Sequence, residues 1–149
     1  MLEIAGCAAA PAQVAPAFNL SGAWEGETRV IPCVPKFTPM GRCNAVNRIT
    51  LVIKQEGPDL RGDYTCAIGT AVCRDANRTT SGEIVNGTLS GSTIAMRVLL
   101  TGDLSSCIYN GEASSATMRG TYRCYQGGGL NESGLWQVSR PGTELPPLR

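Results

Sequence analysis

Carboxylates, hydroxyls and arginines are the groups here that could do chemistry, and their spacing argues against catalysis. Glu25 and Glu27 alternate onto one strand face, while Asp63, Glu83 and Glu112 are scattered. Glycosidase-type acid–base work needs two carboxylates in one pocket, so these read as solvated strand-face charges. The chain has no histidine. That removes Ser-His-Asp and Cys-His nucleophile activation and histidine-bearing zinc sites. Ser105-Ser106 and Ser114-Ser115 have no base within motif reach. Gly127-Gly128-Gly129 could be taken for a phosphate loop, but no helix N-terminus follows it to bind the anion, so it reads as a flexible connection. The expectation is a protein that is not an enzyme and uses no metal or cofactor. Arg48, Arg97, Arg119 and Arg123 fall opposite apolar strand faces. They form an outer polar surface or, if one points inward, an anchor for a carboxylate or phosphate.

The elements that must position these groups follow from composition. The 149 residues suit one domain. Thirteen basic residues against twelve acidic give a net charge of +1, so nothing favours the phosphates of a nucleic acid. Aromatics make up 5%, with 18 Gly and 9 Pro. Abundant Gly, Ser and Thr suit short strands joined by turns.

Seven cysteines occur, at Cys7, Cys33, Cys43, Cys66, Cys73, Cys107 and Cys124. An odd number gives one of them a separate job. Ile4-Ala5-Gly6-Cys7 resembles a bacterial lipobox. That resemblance implies lipid attachment at Cys7 and a membrane partner reached through the anchor. It also implies a place in the cell envelope, as a lipoprotein facing the periplasm or the surface. Ala8 after the cysteine resembles an outer-membrane sorting residue. The Ala/Pro-rich stretch that follows reads as a tether. Export to an oxidising compartment favours disulfides among the other six cysteines. Cys33 and Cys43 flank one Pro-rich loop, and Cys66 and Cys73 flank a second short segment. A hairpin turning at 114–117 sets Cys107 opposite Cys124. A metal cluster is disfavoured, because no Cys-x-x-Cys spacing and no histidine is present.

A short element recurs. Leu20-Ser21-Gly22-Ala23-Trp24, Leu60-Arg61-Gly62-Asp63-Tyr64, Leu89-Ser90-Gly91-Ser92-Thr93 and Met118-Arg119-Gly120-Thr121-Tyr122 share one pattern: apolar, polar, Gly, any, then aromatic or Thr. Period-two alternation predicts strands near 21–31, 47–56, 59–66, 80–88, 92–100, 105–112, 117–125 and 133–140. Short strands joined by tight turns predict an antiparallel meander, and closing the sheet removes its two edges. The expected fold is an all-β, eight-stranded, antiparallel up-and-down barrel. Such a barrel is filled by side chains or holds one small ligand.

The Gly-x-Trp opening, the Leu-x-Gly-x-Tyr strand starts and the closing Gly134-Leu135-Trp136 resemble avidin and lipocalin-like small barrels. The resemblance covers most of 19–140, between a lipobox and tether over 1–18 and a poorly ordered tail over 141–149. It implies a structural, barrel-closing role for Trp24. The candidate pocket is Trp24, Tyr64, Tyr122 and Trp136. The expected function is binding of a small or lipophilic ligand. The alternatives are a protein–protein module, such as a periplasmic hydrolase inhibitor working through 33–43 or 67–79, and an envelope scaffold with a solid core.

Overall fold

The computed structural model describes residues 14–31, 46–67, 79–101 and 105–148. Eight strands follow one another in chain order: β1 (Gly22–Val30), β2 (Val46–Glu56), β3 (Asp59–Ala67), β4 (Thr79–Ser90), β5 (Thr93–Leu100), β6 (Ser105–Ala113), β7 (Thr117–Gln126) and β8 (Gly129–Ser139). Each pairs antiparallel with the next, and β8 returns to β1, closing the barrel. No helix occurs among the described residues.

Alternation places the core. In β2, Asn47, Ile49, Leu51 and Ile53 are buried while Val46, Arg48, Thr50 and Val52 are exposed. Val52, which breaks the apolar pattern, is therefore an outward residue. Ile94, Met96, Val98 and Leu100 of β5 point inward in the same way.

The apolar residues of the recurring element share one address. Leu20, Leu60, Leu89 and Met118 are all buried at the end where the odd-numbered strands begin. Every odd strand of an up-and-down barrel runs the same way, so a motif at their starts builds one floor. Two of the glycines that follow, Gly62 and Gly120, lie against a neighbouring backbone, whereas Gly91 sits in a turn at φ 57°. A Cβ on Gly120 would sit 1.8 Å from the Asn110 carbonyl oxygen, and Gly120 lies directly opposite Gly111. The β6 and β7 backbones approach there closely enough to coil.

Residues 14–21 strap this floor. Pro16 bridges Gly91 in parallel, and the Ala17 N–H donates to the Gly91 carbonyl. The Gln55 side chain accepts from the Leu20 N–H and donates to the Phe18 carbonyl. The opposite end, where β1, β3 and β5 finish, is the loop end; residues 32–45, 68–78 and 102–104 lie outside the described residues.

Two details depart from expectation. The last strand begins at Gly129 rather than 133. Gly127 and Gly128, both at positive φ, form the whole turn, so the glycine run is a tight hairpin rather than a slack connection. In β4 the register shifts between Val85 and Thr88, with Asn86 at φ 50°. This is a bulge in which one extra residue bends the strand, and asparagine tolerates the left-handed conformation.

The predicted hairpin pairing holds: Cys107 and Cys124 are opposite and disulfide-bonded, with Cα atoms 4.0 Å apart. Cys66 is also disulfide-bonded. Cys7, Cys33, Cys43 and Cys73 lie outside the described residues.

Beyond β8, Arg140-Pro141-Gly142-Thr143 turns the chain back, the Thr143 N–H donating to the Arg140 carbonyl. Residues 143–148 then run over the outer faces of β8 and β1. Here the Ser139 hydroxyl donates to the Thr143 carbonyl at 2.9 Å and the Leu148 N–H to Glu27 Oε1 at 3.2 Å.

Candidate functional site

The barrel interior is apolar at one end and mixed apolar and polar at the other. At the strapped end, Trp24 is fully buried and donates its indole N–H to the Leu20 carbonyl at 2.8 Å. Arg140 lies over the Trp24 ring, 4.1 Å from its centroid, and donates to the Ser21 and Asn19 carbonyls. A guanidinium so placed seals this end through cation–π contact and hydrogen bonds together.

Midway, four aromatics from β3, β6, β7 and β8 meet. Tyr109 stacks on Tyr122 with ring centroids 5.4 Å apart, and meets Trp136 edge-on at 5.5 Å. Tyr64 lies tilted to it at 6.0 Å, the two hydroxyls 3.1 Å apart. Trp136 donates to the Asn110 carbonyl. Each of these rings contributes about 1.5–3 kcal/mol by burial.

Toward the loop end polar side chains join Val30, Cys66, Leu100 and the Cys107–Cys124 pair on the inward face. Thr28, Asn47, Ser105 and Glu132 are all buried there. The Asn47 side-chain amide donates to Thr28 Oγ1 at 3.3 Å, and the Tyr122 hydroxyl to Glu132 Oε2 at 2.9 Å. Burial raises the ionisation of Tyr64, Tyr109 and Tyr122 above the ordinary phenol range. The Glu132 carboxylate adds to the effect, most of all at Tyr122. The three phenols therefore stay protonated at neutral pH, Tyr122 donating to Glu132 and one of Tyr64 and Tyr109 to the other.

All four sequence-predicted pocket residues face inward, but they do not form one group. Tyr64, Tyr122 and Trp136 belong to the mid-barrel layer, whereas Trp24 sits at the sealed end. Sequence reasoning passed over Tyr109, the ring at the centre of the layer, and Glu132, the carboxylate on the inner wall. Both were legible in principle: Glu132 shares the even-numbered phase of Trp136 and Val138, and Tyr109 that of Cys107. The misplaced start of β8 hid Glu132.

The carboxylates weighed for catalysis lie outside. Asp63 pairs across the strands with Glu83, and Glu112 accepts from Ser92 and Thr93. Arg48, Arg97, Arg119 and Arg123 are all exposed, so none anchors a ligand inside the barrel. Among the described residues no group of three or more His, Cys, Asp or Glu is placed to hold a metal ion.

Two clefts open on the outer wall, one on either side of the tail. One, of about 620 Å³, includes Glu25, Glu27, Arg48 and Leu145 in its lining. The other, of about 680 Å³, includes Arg119, Leu135, Pro146 and Leu148. No family model, curated protein or solved structure matches the chain.

Proposed function

We propose that the protein is a non-enzymatic envelope lipoprotein, anchored through Cys7, whose barrel binds a small ligand from the loop end. The observation that carries this reading is the sorting of the interior. One end is apolar, strapped and sealed by Arg140 over Trp24. The other gathers Thr28, Asn47, Ser105 and Glu132 above a floor of aromatic rings. A few fixed polar groups over an apolar surface are what a small-molecule site uses to orient a ligand. The ligand class is a compact molecule with an apolar body for the aromatic layer and hydrogen-bonding groups for the polar wall.

Native mass spectrometry of the protein extracted from its source membranes tests this. The expected result is a one-to-one small-molecule adduct that is lost on Glu132→Gln with Thr28→Val. A bare chain in both proteins overturns it and leaves a barrel filled by its own side chains. The anchor has its own test: fatty-acid label should enter the native protein and not Cys7→Ala.

A protein–protein role is the second reading, favoured by the outer wall. Leu99 and Ile108 are each 41% exposed on neighbouring strands, and Ile108 lies between Arg97 and Arg123 in the ladder. A partner bound there would be lost on Leu99→Ser with Ile108→Ser, while the small-molecule adduct would be kept.

A further inference from the structure

The outer wall from β3 to β7 sorts its charges around an apolar centre. One rung of the ladder runs from Asp63 through Glu83, Leu99 and Ser106 to Tyr125. The next outward rung toward the strapped end runs from Arg97 through Ile108 to Arg123. Asp63, Glu83, Arg97, Leu99, Ile108 and Arg123 are all exposed. Acids therefore lie on β3 and β4, the apolar side chains on β5 and β6, and an arginine on β7. Asp63 and Glu83 are direct cross-strand partners, and like charges so placed repel. Among the described residues the ion pair is Arg61–Glu56, so neither acid is relieved by a cation at ion-pair distance, and neither Arg97 nor Arg123 is met by a carboxylate. One patch thus presents unrelieved negative charge, an apolar centre and unrelieved positive charge, in that order around the barrel.

We infer that this face is a homodimer surface, and that its partner is a second copy of this chain related by a two-fold axis. Such a contact is isologous: the patch meets itself, and residue i touching j implies j touching i. An axis running near the strand direction between β5 and β6 sets β4 against the partner's β7, and β5 against the partner's β6. Glu83 then comes within reach of the partner's Arg123, and Arg123 of the partner's Glu83. Leu99 and Ile108 cover each other between these two ion pairs. An anionic membrane surface fits less well, since Asp63 and Glu83 would face its phosphates. A different protein would have to carry the same three zones in reversed order, which a second copy supplies by symmetry. A few strands of a small barrel's wall give an interface at the low end of the specific range, about 1,200 Å² in total. The dimer is therefore weak, and its ion pairs make it salt-sensitive. Two copies anchored on one membrane meet at a raised effective concentration. The inference rests on the protein–protein reading of this wall and names its partner; it does not depend on what the barrel interior holds.

The test uses the full chain with Cys7→Ala, so that no lipid drives association, in sedimentation velocity over a range of concentrations. The expected result is a monomer–dimer equilibrium whose dissociation constant rises with salt. Glu83→Arg and Arg123→Glu should each weaken it at least about ten-fold, because each sets like charges face to face. Mixing the two variants should restore it, since each then meets the opposite sign at both contacts. The chain carrying both reversals should dimerise as the native surface does. Near-ultraviolet circular dichroism, reporting on Trp24 and Trp136, checks that the barrel is unchanged in every variant. A monomer at all concentrations up to ~1 mM overturns the proposal, and so does a dimer that ignores both reversals or is not rescued by mixing. A monomer that instead retains a different protein from source-membrane extract, lost on Leu99→Ser with Ile108→Ser, overturns the second copy as partner and keeps the protein–protein reading. A monomer that retains nothing overturns both.

Discussion

The hydroxyl oxygens of Tyr64 and Tyr109 lie 3.1 Å apart inside the barrel, although their strands, β3 and β6, are not neighbours in the sheet. This hydrogen bond therefore spans the interior rather than continuing the ladder. Truncating one partner leaves the other hydroxyl buried, while removing both leaves two rings of nearly the same shape. Tyr64→Phe and Tyr109→Phe should each cost about 1–2 kcal/mol in urea unfolding, and the double variant clearly less than their sum. Strict additivity would mean that the two hydroxyls do not interact.

Tyr64, Tyr109 and Tyr122 have ionisations raised by burial. A phenol whose folded pKa lies above its unfolded value of about 10 stabilises the fold below that pH and loses the contribution as the pH climbs further. Stability should be insensitive to these groups through neutral pH and fall steeply above pH ~10. Phenolate absorbance from the three should appear only as the protein unfolds. Full titration of all the tyrosines at pH ~10 with native circular dichroism would contradict this.

The Cys107–Cys124 bond closes a loop with a sequence separation of 17. Chain-entropy reasoning gives it about 3 kcal/mol. Cys107→Ala with Cys124→Ala should lower unfolding stability by ~2–3 kcal/mol. Non-reducing peptide mapping of the native protein should recover the two cysteines in one linked fragment.

Arg140 joins the end of β8 to the strap and covers Trp24. Arg140→Ala removes a cation–π contact and two charge-assisted hydrogen bonds, and should cost about 2–3 kcal/mol. Tryptophan fluorescence should shift to the red as water reaches the ring. Arg140→Lys should recover little, because an ammonium cannot lie flat on the ring and reach both carbonyls.

Filling the glycine contact should be more damaging. Gly120→Ala puts a methyl against the Asn110 carbonyl, a clash with backbone that no rotamer relieves. It should cost more than about 3 kcal/mol, or prevent folding, whereas Gly128→Ala, in open space at positive φ, should cost only ~1 kcal/mol. Comparable effects at the two sites would contradict the close-approach role of Gly120.

The barrel was legible because its determinants are local and periodic. Alternation in 48–55 and 93–100 marked the inward face, and the turn at 114–117 fixed the register that joins Cys107 to Cys124. Less was legible where one strand depends on another. The bulge at Asn86 shows only in the pairing of β4 with β3 and β5; Asn86-Gly87 by itself marks a place where positive φ is tolerated, and does not say whether the chain turns or bulges there. The site was read in part. Tyr64, Tyr122 and Trp136 carry a motif, whereas Tyr109 and Glu132 carry only the inward phase of their strands, which for Glu132 is legible only once β8 is begun at Gly129. The tail shows the same dependence: its polar partners, Gln137, Ser139 and Glu27, lie on strands distant in sequence or on the wall it runs over.

Because β8 pairs with β1 and Arg140 reaches back to Asn19, the wall is a ring of hairpins with no preferred first member. A circular permutant that joins the strapped end with a short linker and starts at the exposed Gly127-Gly128 turn would keep every rung of the ladder. In such a barrel the order of synthesis and the order of assembly are separable. Which hairpin forms first during folding is then a matter of local sequence, not of which strand happens to be numbered one.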